Sequence, residues 1–131
     1  MSIKEHKHII IRAEVLEPPR DEQTVTNQIK DLIEQIGMKI LMGPFGKYCS
    51  MEGNKGLTVV AIIETSHVVM HVWDEDSPAL MQLDVYTCGP FDKDIVFKWL
   101  EQYKPKDIMF KYLDRETGLR TLATNTNKYT I

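Results

Sequence analysis

Between residues 56 and 89 of this 131-residue chain stand a hydroxyl, two imidazoles and a thiol, side chains suited to nucleophilic and proton-transfer chemistry. Ser66 falls where two apolar runs meet, Leu57 to Thr65 and Ser66 to Trp73, and His67 follows it at once. In an extended chain, even spacing keeps His67 and His71 on one face. Cys88 ends another apolar run and opens Thr87-Cys88-Gly89-Pro90, a strand end at which a thiol can face a cleft. A serine can act as nucleophile, a neutral imidazole as base near neutral pH and a protonated thiol as acid. Each also has an ordinary reading as a bystander hydroxyl, half-buried histidines or a small buried hydrophobe. No Gly-x-Ser-x-Gly elbow marks a hydrolase triad. Cys49 and Cys88 make no Cys-x-x-Cys pair, and with His67 and His71 they give no closed four-ligand spacing for zinc. Composition and spacing alone leave the activity open.

The elements that must position these groups follow from pattern. His8 to Val15 is rich in β-branched residues and reads as a strand, ended by Pro18-Pro19. Asp21 suits a helix N-cap, Val25, Ile29, Leu32, Ile33 and Ile36 follow at helical spacing, and Gly37 sits where a left-handed C-cap residue is wanted. Met38 to Met42 reads as a strand that breaks at Gly43-Pro44, and Gly53 to Gly56 as a turn. Leu57 to Thr65 has the character of a central strand, and Ser66 to Trp73 continues extended. Ala79 to Thr87 alternates as a further strand. Phe91 to Tyr103 places Val96, Trp99, Leu100 and Tyr103 on one helical face, with Asp92 as cap and Pro105 beyond the end. Ile108 to Leu113 is the last clear strand, and the polar tail from Thr124 to Ile131 is loosely held or a short edge strand. This order predicts one α+β domain over residues 1–131, a two-layer sandwich of a mainly antiparallel sheet with helices on one face. If the second sheet face is apolar, another subunit is its natural cover.

Composition narrows the partners. Net charge is −3, and no block of Lys and Arg dominates any segment, which disfavours a nucleic-acid surface. No run reaches the roughly 20 apolar residues of a membrane span, and charge interrupts the N-terminus before a signal core can build. Two cysteines are too few for a disulfide scaffold, so free thiols in a reducing, cytoplasmic setting are expected.

Three strings taken together carry more information: Gly56-Leu57-Thr58, then Ser66-His67-x-x-x-His71-x-Trp73-x-Glu75, then Leu83-Asp84-Val85-Tyr86-Thr87-Cys88-Gly89. In this order they resemble the prokaryotic S-adenosylmethionine decarboxylases, small self-processing enzymes of polyamine (spermidine) synthesis. The resemblance is best over residues 56–89 and extends loosely over most of the chain. It implies that Ser66 attacks the carbonyl of Thr65, that the chain breaks between them, and that residue 66 becomes a pyruvoyl cofactor able to form a Schiff base with the substrate amine. It implies His71 as the base of processing, Thr58 in place of an assisting serine, and Cys88 as the acid that reprotonates the substrate carbon. Glu75 would bind the ribose hydroxyls of S-adenosylmethionine. Tyr48, in Phe45-x-Lys47-Tyr48, and Trp73 would stack on its adenine, core packing being the other reading of both rings. A homodimer packed sheet to sheet, with active sites at the interface, is also implied.

The chain departs from that pattern at several places, among them a stretch from Glu75 to Cys88 that is longer than the family's. Thr65 stands where the family has glutamate, Trp73-Asp74-Glu75 replaces Trp-Pro-Glu, and the loop from Tyr48 to Gly56 is altered. These changes keep ornithine or arginine open as alternative substrates, and also an unprocessed relative that binds a ligand or regulates a partner subunit.

Overall fold

The computed structural model describes residues 5–125 and 129–130. Its elements are β1 (Lys7–Val15), α1 (Glu22–Gln35), β2 (Ile40–Cys49), β3 (Gly56–Ile63), β4 (Ser66–Trp73), β5 (Ala79–Thr87), α2 (Lys93–Leu100) with a 3-10 turn Glu101–Tyr103, β6 (Pro105–Asp114), β7 (Arg120–Thr124) and β8 (Tyr129–Thr130). One antiparallel sheet runs in the order β2-β3-β4-β5-β1-β6-β7, and β8 pairs with β6. Both helices lie on one face, so the α+β sandwich expected from sequence is the fold. The tail beyond Asn125, apart from the Tyr129–Thr130 pairing, lies outside the described residues.

Alternation divides β1, β3, β4 and β5 between two environments. Ile9, Ile11, Leu57, Val59, Val68, Met70, Met81, Leu83 and Val85 point to the helix side and are buried against Val25, Ile29, Leu32, Ile33, Val96, Trp99 and Leu100. The capping signals act as their types require: Asp21 accepts from the Thr24 amide at 2.8 Å, and Asp92 from the Asp94 amide at 2.9 Å. Gly37 closes α1 at φ 77°.

Three sequence expectations are corrected. β2 does not break at Gly43-Pro44 but runs on to Cys49 with register shifts that leave Gly43 and Pro44 without register partners on β3, an irregularity an edge strand tolerates. The apolar run at Leu57 is not central; β3 lies next to the edge, and β5 and β1 hold the middle. The chain also does not continue through Ser66. It reverses in two residues, Glu64 and Thr65, so that Ile63 pairs with Ser66. No glycine, asparagine or proline marks this reversal, and Thr65 takes the left-handed conformation at φ 44°. For a β-branched residue that conformation costs about 1–2 kcal/mol.

Asparagine tolerates the left-handed region far better. With Ser66→Ala in the same chain to keep the backbone whole, Thr65→Asn should raise stability by about 1 kcal/mol, read from urea unfolding; an unchanged midpoint would mean that the turn stores no strain.

Candidate active site

At the β3–β4 reversal, the Ser66 hydroxyl donates to the carbonyl of Glu64 at 2.9 Å. The Cys88 thiol, arriving from the end of β5, donates to the same carbonyl at 3.0 Å. Pairing of β4 with β5 brings the two together, because the register His67 with Tyr86 sets Ser66 and Thr65 beside Thr87 and Cys88. The reversal is anchored on its other side by the Glu64 amide, which donates to the Lys39 carbonyl at 3.2 Å. Hydrogen bonds from the side chains of Thr65 and then Ser66 hold the Cys88 thiol below its usual range. Hydroxyl, thiol and left-handed peptide unit thus share one corner of the molecule.

A second group forms on the open face of the sheet. Thr58 and His71 are register partners on β3 and β4, and the Thr58 hydroxyl lies 2.9 Å from His71 Nδ1. Gly56 makes this pairing close: its φ is 150°, and a Cβ there would stand 1.7 Å from the Val72 carbonyl oxygen. The Trp73 ring lies 5.9 Å from that of His71. His71, His67, Asp84, Gln82, Arg12 and Lys111 border a concavity of about 610 Å³ on this face. His71 does not meet Ser66 within one chain. Alternation puts Ser66 on the helix side with Val68 and His71 on the open side with Val69, five residues or roughly 16 Å along the strand.

The proposed substrate-binding residues are also separated. Tyr48 lies on the helix side, packed against the core, and its hydroxyl donates to Asp74 at 2.9 Å; that hydrogen bond raises the phenol above its usual value. Tyr48 and Trp73 are therefore not one stacking platform. Glu75 is exposed and engaged with the neighbouring loop, accepting from the Gly53 and Lys55 amides at 3.1 and 3.2 Å. Those two bonds hold its carboxyl below the usual range.

Sequence reading missed a polar row on the open face. Asp84 Oδ1 lies 2.6 Å from His8 Nε2 and 2.9 Å from His67 Nε2, and the Arg115 guanidinium lies 3.1 Å from His8 Nδ1. The available signal was Asp84, a charged residue at an outward position between Leu83 and Val85. Its partners come from β1, β4 and the end of β6, which no local pattern brings together.

A family model described as S-adenosylmethionine decarboxylase matches residues 7–116. The chain is 32% identical over 89 residues to an S-adenosylmethionine decarboxylase proenzyme of Archaeoglobus fulgidus, covering 66% of this chain and 78% of that one. It is 34% identical over 97 residues to the proenzyme of the same description from Pyrobaculum arsenaticum, 72% and 74% of the two chains. An arginine decarboxylase proenzyme of Ignicoccus hospitalis is 30% identical over 105 residues, 79% and 70% of the two. The crystal structure of the adenosylmethionine decarboxylase from Aquifex aeolicus superposes with a TM-score of 0.65 at 19% identity, over 95% of this chain and 100% of that one, which supports the fold. With the family model spanning well over half of its length, this chain belongs to the S-adenosylmethionine decarboxylase family.

Proposed function

We propose that the protein is a self-processing, pyruvoyl-dependent decarboxylase of S-adenosylmethionine. The observation that carries this reading is the convergence of the Ser66 hydroxyl and the Cys88 thiol on one carbonyl, beside a peptide unit whose Thr65 is held left-handed. These residues fit a pyruvoyl group made from the chain itself. The Ser66 oxygen attacks the Thr65 carbonyl carbon, the C–N bond breaks and an ester forms, relieving the strained turn. Loss of the Ser66 α-proton and of the Cβ–O bond then frees Thr65 as a carboxylate, and water completes the conversion with release of ammonia. The chemistry gained at residue 66 is an electron sink for the bonding pair left when carbon dioxide departs.

Residue roles follow from placement. Cys88 is the proton donor. Processing consumes the Ser66 hydroxyl and leaves a carboxylate on Thr65, so one donor that lowers the thiol is lost and a nearby negative charge favours the protonated form that an acid needs. The His71–Thr58 pair is the base of processing, acting on Ser66 of a second subunit, because roughly 16 Å of strand keeps it from the Ser66 of its own chain. A homodimer packed through the open face covers Ile10, Val60, Ile62 and Met109, which are 37–44% exposed.

One observation favours a basic amino acid as the substrate instead. Both Glu75 oxygens are engaged by loop amides rather than left for ribose hydroxyls, and one relative is described as an arginine decarboxylase proenzyme. Release of labelled carbon dioxide from S-adenosylmethionine, arginine and ornithine in parallel decides between them.

Three outcomes are expected. Purified protein should give two fragments by mass in place of the 15.2 kDa chain, and Ser66→Ala should abolish both cleavage and turnover; a wild-type chain that stays whole overturns the reading. Co-expressed Ser66→Ala and His71→Ala chains, each uncleaved alone, should form mixed dimers in which the His71→Ala chain is cut; no cutting would place the base elsewhere. In Cys49→Ser/His71→Ala protein, which stays whole, alkylation of Cys88 should reach its half-maximal rate at a lower pH than an ordinary thiol, and adding Ser66→Ala should move that midpoint upward, since a donor to the thiolate is removed.

A further inference from the structure

His67, the residue next to Ser66, ends the polar row Arg115–His8–Asp84–His67. The hydrogens in this row are fixed by its members. Arg115 can only donate, so His8 Nδ1 accepts and His8 Nε2 carries the hydrogen that goes to Asp84. Burial pushes the Asp84 carboxyl up, but hydrogen bonds from His8 and His67 outweigh it and hold the group below its usual value. Asp84 is therefore an ionised acceptor of two N–H donors on one oxygen, and His67 gives it Nε2–H. This arrangement argues against a cation at the same three residues, because a metal would need the His8 Nε2 lone pair that Arg115 excludes. Tyr86 fills the space between the members: the Arg115 guanidinium lies 4.3 Å from the centre of its ring, and the His8 and His67 rings lie 5.3 and 5.6 Å away.

We propose that this row is a clamp that holds the chain end beginning at residue 66 in the sheet once the Thr65–Ser66 bond has broken, with His67 and Asp84 as positioning residues. The inference rests on the self-processing reading above. In the intact chain, the two-residue reversal ties the start of β4 to β3. Breaking that peptide bond makes residue 66 a terminus, and termini fray unless tied down. A reactive group there must be held to within about half an ångström. The first side chain available is that of His67, which reaches through Asp84 and His8 to β5, β1 and the end of β6. The clamp thus takes over the restraint that cleavage removes.

Hydrogen exchange over residues 66–70 tests this, with cleaved full-length protein compared with the same chain kept whole by Ser66→Ala. His67→Ala should still be cleaved. In the cleaved protein its β4 amides should exchange at least about tenfold faster than wild type, and in the uncleaved background less than about threefold faster. Its kcat should fall roughly tenfold with KM nearly unchanged, because position is lost and binding is not. His67→Gln, which keeps an N–H for Asp84, should restore both. Arg115→Met, at the far end of the row, carries the same comparison if His67→Ala does not fold. Equal acceleration in both backgrounds, or none in either, overturns the clamp, as does a folded His67→Ala that is not cleaved. Wild-type protein that remains one 15.2 kDa species defeats the self-processing reading itself and the clamp with it, an outcome separate from the others.

Discussion

The reversal of the chain at Glu64 and Thr65 is the constraint on which the site depends. Two strands of eight residues each, both with buried apolar faces, must be joined by two residues. Their register is fixed by Ile63, Val68 and Met70, which are wholly buried, so a slip of one residue would turn every apolar side chain outward. The core therefore dictates the turn, and Thr65 accepts a left-handed backbone that its branched side chain disfavours. A glycine would relax there. Threonine keeps both the strain and a side chain that holds the Cys88 thiol below its usual range.

The two faces of the sheet divide the chemistry. The reversal and the end of β5 hold Ser66 and Cys88 together, while the pairing of β3 with β4 holds Thr58 and His71 on the open side. One subunit thus builds two separate polar groups, and alternation along β4 keeps them apart within it. The open face carries both apolar side chains and a charged row, so a proposed second subunit there would be positioned by polar contacts as well as by burial.

Much of the fold was legible because its signals are local. Asp21, Gly37, Asp92 and Pro105 mark helix ends by chemistry that operates over one turn. The β3–β4 turn was not legible, since Glu64-Thr65 has no turn-forming residue and tertiary packing imposes the bend. β2 was cut short on sequence because Gly43-Pro44 stops most strands, and edge position is a property of the assembled sheet. The motif residues Ser66, His71 and Cys88 could be named from their order, but not which of them share a face with a partner. Asp84 acquires its meaning only through His8 and Arg115, which pairing of distant strands delivers.

Strand order has one more consequence. Residues before the Thr65–Ser66 bond supply β1, β2 and β3, and residues after it supply β4 to β8. In the sheet, β1 is inserted between β5 and β6, bonded along its length to each. Two polypeptides produced by a break at that bond are interleaved rather than merely docked, and neither can leave unless a central strand is stripped from both neighbours. Their separation is therefore equivalent to global unfolding, and a nicked molecule should persist as one unit at any dilution at which the sheet survives.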